Sequence, residues 1–387
     1  MIVQLDNLAT EQLIVAAGAT DTTLRDTVDD LGSSQVADLL IDEIAFRAEI
    51  PVTDQPVQVQ LDVLDRDRRY CYTFNAETGK MFTVAKSANP DAAQLIEYQL
   101  VDLCRELFGP SRRYSAAQRR VEARFKPANT PALWKAVVAS HQATTALLAG
   151  IDNREIDLNA LPARYYSDKW GGLHWFTSHY EKHLRHLRDE HVRILEIGIG
   201  GYAMPSVGGG SLKMWRRYFP RGVVYGMDIF DKSAFTQPRV TTLLGNQSDP
   251  DYLASVVEKY GPFDVIIDDG SHINGHVRTS FDALFSTVRP GGVYVIEDLW
   301  TTYCPGYGGD VSTKAAPTTS IGLIKMLVDA INYEEHPDGG KSMGGVGSQI
   351  TGVHAYHNIA FLDKGKNSEG SIPDWVPKHP VNDFRPA

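Results

Sequence analysis

Two clusters of acidic residues follow consecutive apolar segments in the second half of the chain. The first cluster, Asp268–His272 (DDGSH), comes directly after residues 263–267, and the second, Glu297-Asp298, comes after residues 293–296. Short apolar runs of this kind are typical of buried strands in a parallel sheet. Because the carboxyl ends of such strands line the ligand crevice of an open α/β sheet, we expect the two clusters to face each other.

Carboxylates placed so close together repel each other unless a cation lies between them. A hard divalent metal with oxygen ligands fits this chemistry best, and we expect Mg²⁺ to be held by Asp269, Glu297 and Asp298. His272 then stands beside whatever the metal binds. The alternative is that each acid is only a helix cap or a solvated loop residue, which is common for one carboxylate but unfavourable for buried pairs.

A glycine-rich turn, residues 196–202 (EIGIGGY), follows an apolar run that begins at residue 192. Such a turn lets backbone amides approach a ligand closely, but it serves NAD, FAD and S-adenosylmethionine sites alike. Its acidic first residue repels a pyrophosphate and accepts from a cationic amino group, and the turn lacks Gly-x-Gly-x-x-Gly spacing. We therefore predict that the turn binds S-adenosylmethionine through Glu196, Gly198, Gly200, Gly201 and Tyr202.

Further cofactor contacts are predicted at the ends of the following strands. Asp228 is placed to bind both ribose hydroxyls, with a helix cap as the alternative. Asn246 and Gln247 are expected to flank the adenine, and Asp268 to border the methionine part of the cofactor. Ser211, at the start of a helix after three glycines, is either a cofactor contact or a plain N-cap.

Regular alternation of strands and helices beyond residue 165 indicates a doubly wound α/β sheet. A helix begins at Asp249-Pro250, ends before Gly261, and is followed later by a helix over 319–333. The apolar runs 349–354 and 358–362 are too close together for a crossover helix, so they must pair antiparallel. This outline is that of a class I methyltransferase, a Rossmann-like seven-stranded sheet with a terminal antiparallel hairpin. Its first five strands are predicted at Val192–Ile197, Val223–Asp228, Val240–Leu244, Phe263–Ile267 and Val293–Ile296.

The sequence pattern of residues 1–150 predicts an α+β auxiliary domain. A linker over 151–165 is expected to join it to a methyltransferase domain over 166–387. Period-two alternation predicts a small antiparallel sheet, and helical spacing predicts helices packed on it. The strands are expected at 57–63, 70–74 and 81–84, and the helices at 34–50, 92–108 and 131–148.

Composition and charge exclude several classes of function. The 387 residues carry 38 Lys plus Arg against 48 Asp plus Glu, and no basic run is interleaved with aromatics, which argues against a nucleic-acid partner. The cysteines number 3, so a disulfide framework is not expected and a reducing cytoplasm fits. The sequence has neither a secretion signal nor an apolar stretch of about 18 residues, so we expect a cytoplasmic protein with no membrane partner.

Taken together, these motifs resemble the metal-dependent sugar O-methyltransferases of antibiotic biosynthesis, of the mycinamicin and demethylmacrocin type. The likeness covers roughly residues 166–362, and an auxiliary domain of this size fits the group. It implies methyl transfer from S-adenosylmethionine to a deoxysugar hydroxyl of a glycosylated polyketide or macrolide. It also implies that Asp269, Glu297 and Asp298 bind Mg²⁺, that His272 is the general base, and that a homo-oligomer, a tetramer, forms in which an auxiliary domain helps close a neighbour's active site.

Other functions stay open at this stage. A catechol-type O-methyltransferase uses the same fold and metal on an aromatic diol, and a noncatalytic protein can retain S-adenosylmethionine affinity. A nicotinamide oxidoreductase is disfavoured by the terminal hairpin and the missing third glycine. Residues 299–309, rich in aromatics and glycine, are either a wall and lid over a large apolar aglycone or plain packing, and Gly339–Gly347 is expected to be a surface loop.

Overall fold

The described part of the chain divides into two compact units. The computed structural model describes residues 7–110, 119–126, 130–152, 156–312, 314–338, 341–343, 345–377 and 379. The first unit contains the described residues of Met1–Val192, Met204–Tyr225 and Lys232–Thr242, and the second contains those of Arg193–Ala203, Gly226–Asp231 and Leu243–Ala387. The domain boundary expected at 151–165 stays a prediction, and residues 153–155 lie outside the described part.

The amino-terminal half combines helices with a five-stranded mixed sheet. Its described helices are α1 (Asn7–Ala17), α2 (Asp21–Leu31), α3 (Ser33–Arg47), α4 (Leu100–Phe108), α5 (Pro131–Leu148), α6 (Ala160–Tyr165) and α7 (Thr177–Leu184). Its strands are β1 (Val57–Asp65), β2 (Arg68–Ala76), β3 (Thr83–Ala85), β4 (Gln94–Gln99) and β5 (Arg119–Ala123). The strand order is β3-β2-β1-β4-β5, in which β1 pairs antiparallel with β2 and parallel with β4. This confirms an α+β arrangement.

Most of the expected elements of this half are present. The three predicted strands correspond to β1, β2 and β3, and β2 pairs antiparallel with both β1 and β3, as expected for a small antiparallel sheet. The predicted helix over 131–148 is confirmed as α5. Its N-cap Thr130 accepts a hydrogen bond from the Leu133 backbone N–H at 3.2 Å, and Pro131 occupies the first turn, where its missing N–H is harmless.

The helix predicted over residues 92–108 is wrong in its first half, which forms β4. All residues of β4 except Gln99 are buried, the polar ones included. Gln94 Nε2 donates to Ser140 Oγ at 3.3 Å, and Glu97 Oε1 accepts from Arg69 at 2.7 Å. Partners elsewhere in the chain allow these polar side chains to be buried. The sequence of β4 therefore lacks the alternation of apolar and polar residues by which a strand is recognised.

The remaining strands form one seven-stranded sheet. They are β6 (Arg193–Ile197), β7 (Val223–Asp228), β8 (Val240–Leu244), β9 (Phe263–Asp268), β10 (Val288–Glu297), β11 (Ile350–Tyr356) and β12 (Ile359–Lys364), in the order β11-β12-β10-β9-β6-β7-β8. Strand β9 pairs parallel with β6 and β10, whereas β12 pairs antiparallel with β10 and β11. The predicted class I methyltransferase sheet with its terminal hairpin is therefore confirmed.

In the described residues, four α-helices accompany this sheet. They are α8 (Gly210–Tyr218), α9 (Pro250–Tyr260), α10 (Asn274–Leu284) and α11 (Ser320–Ile331). The predicted start of α9 is confirmed, because the Asp249 side chain accepts from the backbone N–H groups of Asp251 and Tyr252, both at 3.1 Å. None of the helices in the described residues has the length and hydrophobicity that crossing a bilayer requires.

The central strands place the acidic clusters side by side. Residues 265–267 of β9 and 294–296 of β10 are fully buried, as expected for parallel strands covered on both faces. In the register of these strands Asp268 pairs with Ile296, so Asp269 and Glu297 leave the sheet at the same level. Strand β6 pairs with β9 on the other side, where Ile197 is opposite Asp268, and this brings the glycine-rich turn to the same edge.

Candidate active site

The glycine-rich turn and the DDGSH loop are joined through their backbones. The Asp269 N–H donates to the Ile197 carbonyl at 3.0 Å, and the Gly198 N–H donates to the Met227 carbonyl at 2.7 Å. Gly198 has φ +95°, and a Cβ at this position would lie 2.0 Å from the Asp269 carbonyl oxygen. Only glycine fits such an approach, so the turn and the loop depend on each other for their shape.

The rest of the turn adopts left-handed backbone conformations and is open to solvent at its end. Gly200 and Gly201 both have φ +77°, which glycine adopts without a steric penalty. Tyr202 follows with φ +47° and is 82% exposed. Glu196, the acid that precedes the turn, is fully buried in β6.

Asp228, predicted to bind the ribose, shapes the turn as well. Its Oδ2 accepts from the Ile199 N–H and its Oδ1 from the Phe230 N–H, both at 2.9 Å. A carboxylate has about four acceptor positions, so both oxygens can still accept from hydroxyl groups. The helix-cap alternative is wrong, because the short helix that follows, Ser233–Phe235, has Lys232 as its N-cap.

Asn246 and Gln247, the two residues expected beside the adenine, differ in their surroundings. Asn246 is exposed, and its Oδ1 accepts from the backbone N–H and the hydroxyl of Ser248 at 2.9 and 2.8 Å. Gln247 is buried, its Nε2 donates to Asp268 Oδ1 at 3.0 Å, and its Oε1 accepts from the Ser271 N–H at 2.6 Å. Gln247 therefore links the loop after β8 to the DDGSH loop, a role that the sequence did not indicate.

Asp268 lies inside the fold, at the end of β9. Burial raises the pKa of this carboxyl to about 6, against the hydrogen bonds from Ser280 and Gln247, which favour its ionised form. The Tyr294 hydroxyl lies 3.5 Å from Asp268 Oδ2, the oxygen that also accepts from the Ser280 hydroxyl. Asp268 is therefore buried, whereas the adjacent Asp269 is partly exposed.

Asp269, His272 and Asp298 form a group of potential metal ligands. One ligand atom from each of these residues lies within 4.8 Å of the others. His272 Nε2 is 3.3 Å from Asp298 Oδ2, and both side chains are largely shielded from solvent. Glu297, the third predicted metal ligand, is buried at the end of β10 and is not one of the three.

Two members of this group have unusual backbone conformations. His272 has φ +56° and Asp298 has φ +55°, a left-handed region that non-glycine residues rarely adopt and that costs about 1–3 kcal/mol. The Trp300 indole N–H donates to Asp298 Oδ1 at 3.1 Å, so the two Asp298 oxygens face Trp300 and His272 separately. The Trp300 contact was not predicted, since no local sequence pattern links an indole to a carboxylate two residues earlier.

Ser211 is the second residue of α8, and Gly209 is the N-cap of that helix. The alternative of Ser211 as an N-cap is therefore wrong. A contact of this residue with the cofactor stays a prediction.

Comparisons with known proteins identify relatives of this chain. The family model described as MycE methyltransferase N-terminal matches residues 10–119. The chain is 47% identical to demethylmacrocin O-methyltransferase of Streptomyces fradiae, over 98% of this chain and 96% of that protein. It is 42% identical to mycinamicin VI 2''-O-methyltransferase of Micromonospora griseorubida, over 97% of this chain and 95% of that protein.

A solved structure is similar over nearly the whole chain. The MycE methyltransferase from the mycinamycin biosynthetic pathway, in complex with Mg, SAH and mycinamycin VI, aligns with a TM-score of 0.92 and 42% identity, over 97% of this chain and 98% of that one. The likeness therefore extends through both the auxiliary part and the seven-stranded sheet. On this evidence the chain belongs to the MycE-type family of macrolide sugar O-methyltransferases.

Proposed function

We propose that this S-adenosylmethionine-dependent O-methyltransferase transfers a methyl group to a deoxysugar hydroxyl of a glycosylated macrolide or related polyketide. The observation that carries the proposal is the grouping of Asp269, His272 and Asp298 at the strand ends, next to the glycine-rich turn. The two relatives named above are O-methyltransferases of demethylmacrocin and mycinamicin VI, and the MycE complex contains mycinamycin VI. These findings support a macrolide glycoside as the substrate class.

The group of ligands suits Mg²⁺. Two carboxylates with an atom each within 4.8 Å are unfavourable without a cation between them, and carboxylate oxygens are the donors that Mg²⁺ prefers. We infer that Asp269 and Asp298 hold the metal, and that Glu297, which ends the adjacent strand, completes the set. A bound Mg²⁺ supplies positive charge that lowers the pKa of a sugar hydroxyl.

The protein's own residues then have to remove the hydroxyl proton and align the reactants. A neutral hydroxyl is a poor nucleophile toward a sulfonium methyl group. As its oxygen attacks the methyl carbon, the carbon–sulfur bond breaks and the proton passes to the His272 imidazole. The Asp298 carboxylate, 3.3 Å from this ring, stabilises the imidazolium that forms.

The glycine-rich turn orients the methyl donor. We infer that the cofactor lies against Glu196, Gly198, Gly200, Gly201 and Tyr202, with Asp228 on the ribose and Asn246 near the adenine. Gln247 and Asp268 support this site from the inside, since their mutual hydrogen bond fixes the end of β9. Positioning of this kind supplies several kcal/mol of the barrier reduction in group-transfer reactions.

The test compares His272→Gln with His141→Gln, an exposed histidine on α5. Methyl transfer from labelled S-adenosylmethionine to a macrolide glycoside is measured with and without EDTA. Removal of the base is expected to lower kcat by roughly 100-fold or more, with the dissociation constant for S-adenosylmethionine unchanged. Retention of most activity by His272→Gln, or methylation that EDTA leaves untouched, contradicts the proposal. Turnover of an aromatic diol in place of the glycoside indicates the catechol-type alternative.

We further propose that the chain forms a homo-oligomer, a tetramer by the family resemblance, in the cytoplasm. The cysteines Cys71, Cys104 and Cys304 are free thiols, which supports a reducing compartment. Multi-angle light scattering of the purified protein measures the oligomeric state, and a monomer at micromolar concentration contradicts the proposal.

A further inference from the structure

The segment that follows Asp298, residues 299–310, is a folded element, and we refer to it as the aromatic segment. It contains two short helices, Leu299–Tyr303 and Pro305–Tyr307. Its backbone is closed by hydrogen bonds from the Gly309 N–H to the Cys304 carbonyl at 3.0 Å and from the Asp310 N–H to the Thr302 carbonyl at 2.9 Å. The segment therefore has its own internal scaffold.

Asn274 connects this segment to the loop that carries His272. Its side chain is almost fully buried, and Nδ2 donates to the carbonyls of Thr301 at 3.2 Å and Tyr307 at 2.9 Å. Its Oδ1 accepts from the backbone N–H and the hydroxyl of Ser320 at 2.7 and 3.0 Å. An asparagine side chain has two donors and two acceptor positions, so all four are used here.

The connection joins three parts of the site. Asn274 is the first residue of α10 and lies two positions after His272, while Ser320 is the first residue of α11. The aromatic segment begins directly after Asp298, whose Oδ1 accepts from the Trp300 indole. The buried Asn274 amide thus connects the aromatic segment to the loop that carries His272 and to the first residue of α11.

The surface that the aromatic segment presents is apolar and accessible. Trp300 and Tyr303 are each 43% exposed, and the Trp300 and Tyr307 rings pack edge to face with centroids 5.5 Å apart. Aromatic faces of this kind bind large apolar groups with little loss of conformational entropy. A Cβ at Gly309 would lie 2.4 Å from the carbonyl oxygens of both Thr301 and Thr302, so the segment is tightly packed where it turns back.

We propose that Asn274 is a positioning residue that holds the aromatic segment as a fixed wall for the apolar aglycone beside His272. The inference rests on the proposed function for the identity of the bound molecule. A wall that is already ordered does not have to be ordered on binding, which lowers the entropic cost of association. Asn274 thereby contributes to the affinity for the glycoside without touching it.

The test uses Asn274→Ala, with Asn367→Ala as its matched control. Asn367 Nδ2 also bridges two carbonyls, those of Ile331 at 2.8 Å and Gly347 at 3.0 Å, in a different part of the fold. We expect the KM for a macrolide glycoside to rise about 10-fold in Asn274→Ala, with the KM for S-adenosylmethionine within about twofold of wild type. The Asn367→Ala protein is expected to keep both values, although it loses the same number of amide-to-carbonyl hydrogen bonds.

Hydrogen–deuterium exchange gives a readout that does not depend on activity. In Asn274→Ala the amides of residues 304–310 are expected to lose protection, while those of the seven-stranded sheet keep it. Unchanged exchange over residues 304–310, or an equal rise of both KM values, overturns the proposal. If Asn274→Ala does not fold, Ser320→Ala removes a single hydrogen bond to Asn274 Oδ1 and is expected to show the same local change at smaller amplitude.

The same experiment separates failure of the inference from failure of the proposed function. If no glycosylated macrolide is methylated by the wild-type protein, the assignment of the aglycone fails. Exchange over residues 304–310 still decides whether Asn274 holds the aromatic segment.

Discussion

The proposed metal site depends most directly on Asp269, because among the described residues it is the acid of the first cluster that has a ligand atom within 4.8 Å of both Asp298 and His272. Asp269→Asn retains an oxygen ligand but removes one negative charge. We expect the Mg²⁺ concentration for half-maximal activity to rise on the order of 10-fold or more, since ligand charge sets the affinity of such sites. A Mg²⁺ titration of methyl transfer measures this.

Glu297→Gln is the informative comparison, because Glu297 is outside the group formed by the other three side chains. If Glu297 is a ligand, this variant raises the Mg²⁺ requirement as Asp269→Asn does. An unchanged requirement removes Glu297 from the proposed metal set and leaves Asp269 and Asp298. A normal Mg²⁺ requirement in Asp269→Asn contradicts the metal site itself.

Gly198 is a residue of the cofactor turn at which an added side chain would collide with the DDGSH loop. We expect Gly198→Ala to weaken S-adenosylmethionine binding by about 10-fold or more, because a Cβ placed 2.0 Å from the Asp269 carbonyl forces the turn or the loop to move. Gly79→Ala is the control, since Gly79 also has a left-handed φ, +73°, and a Cβ added there would meet nothing within 4 Å. This control is expected to lose about 1 kcal/mol of stability and no cofactor affinity. Calorimetric titration with the cofactor distinguishes the two effects, and normal binding by Gly198→Ala contradicts the prediction.

Residues in short motifs were predictable, whereas their distant partners were not. Asp269 and His272 are brought together with Asp298 as expected, because the register of parallel strands fixes which strand ends meet. The bridging role of Gln247 was not predictable, since it depends on Asp268 and Ser271, which are 21 and 24 residues away. A buried polar group is satisfied by whatever the fold brings near it, and the sequence near Gln247 does not specify that partner.

Elements whose ends are marked by capping, turn or glycine residues were predicted almost to the residue. Strands β7 and β8 have the expected bounds, and α9 lies between Asp249 and Gly261 as expected. Strand β4 was mistaken for helix because its polar residues are buried against partners from other elements. Helices α1 and α2 were not predicted at all, although Thr20 caps α2 by accepting from the Thr23 N–H at 3.2 Å.

The cap of α9 gives a prediction at the scale of one element. Asp249→Ala removes an acceptor that serves the N–H groups of Asp251 and Tyr252, and we expect it to reduce the free energy of unfolding by about 1 kcal/mol. Asp249→Asn keeps a side-chain oxygen at the same position and is expected to retain most of that stability. Urea denaturation of both variants measures the difference, and equal losses in the two variants contradict the capping role.

At the scale of the molecule, the feature least accessible from the sequence is a buried ion cluster in the first unit. Glu43 and Arg47 of α3 meet Arg216 of α8 and Arg239, and all four side chains are almost completely buried. Glu43 Oε1 accepts from Arg47 at 2.6 Å, and Oε2 accepts from Arg216 at 2.7 Å. The members are up to 196 residues apart in the chain, so no local pattern marks them as partners.

The three arginines of the cluster determine the ionisation state of its carboxylate, Glu43. Burial by itself raises the pKa of Glu43, but the three arginines outweigh burial and hold that pKa well below its usual value. The guanidinium groups also donate to main-chain carbonyls, as Arg47 does to Leu107 at 3.0 Å and to Pro220 at 3.1 Å. The cluster therefore joins several elements of the first unit, with Glu43 as the residue that the three cations share.

Replacement of Glu43 by glutamine tests whether the first unit depends on this cluster. Glu43→Gln leaves three buried arginines without their carboxylate, and we expect a loss of about 3–5 kcal/mol at pH 7, measured by urea denaturation. Glu77→Gln, which removes a carboxylate from an exposed ion pair with Lys80, is the control and is expected to leave the stability almost unchanged. Because the pKa of Glu43 is lowered in the folded state, its contribution is present above the unfolded pKa and is lost as the pH falls below about 4. The wild-type protein should therefore lose stability more steeply than Glu43→Gln in that acid range, and parallel pH profiles would show that Glu43 is not ionised in the folded protein.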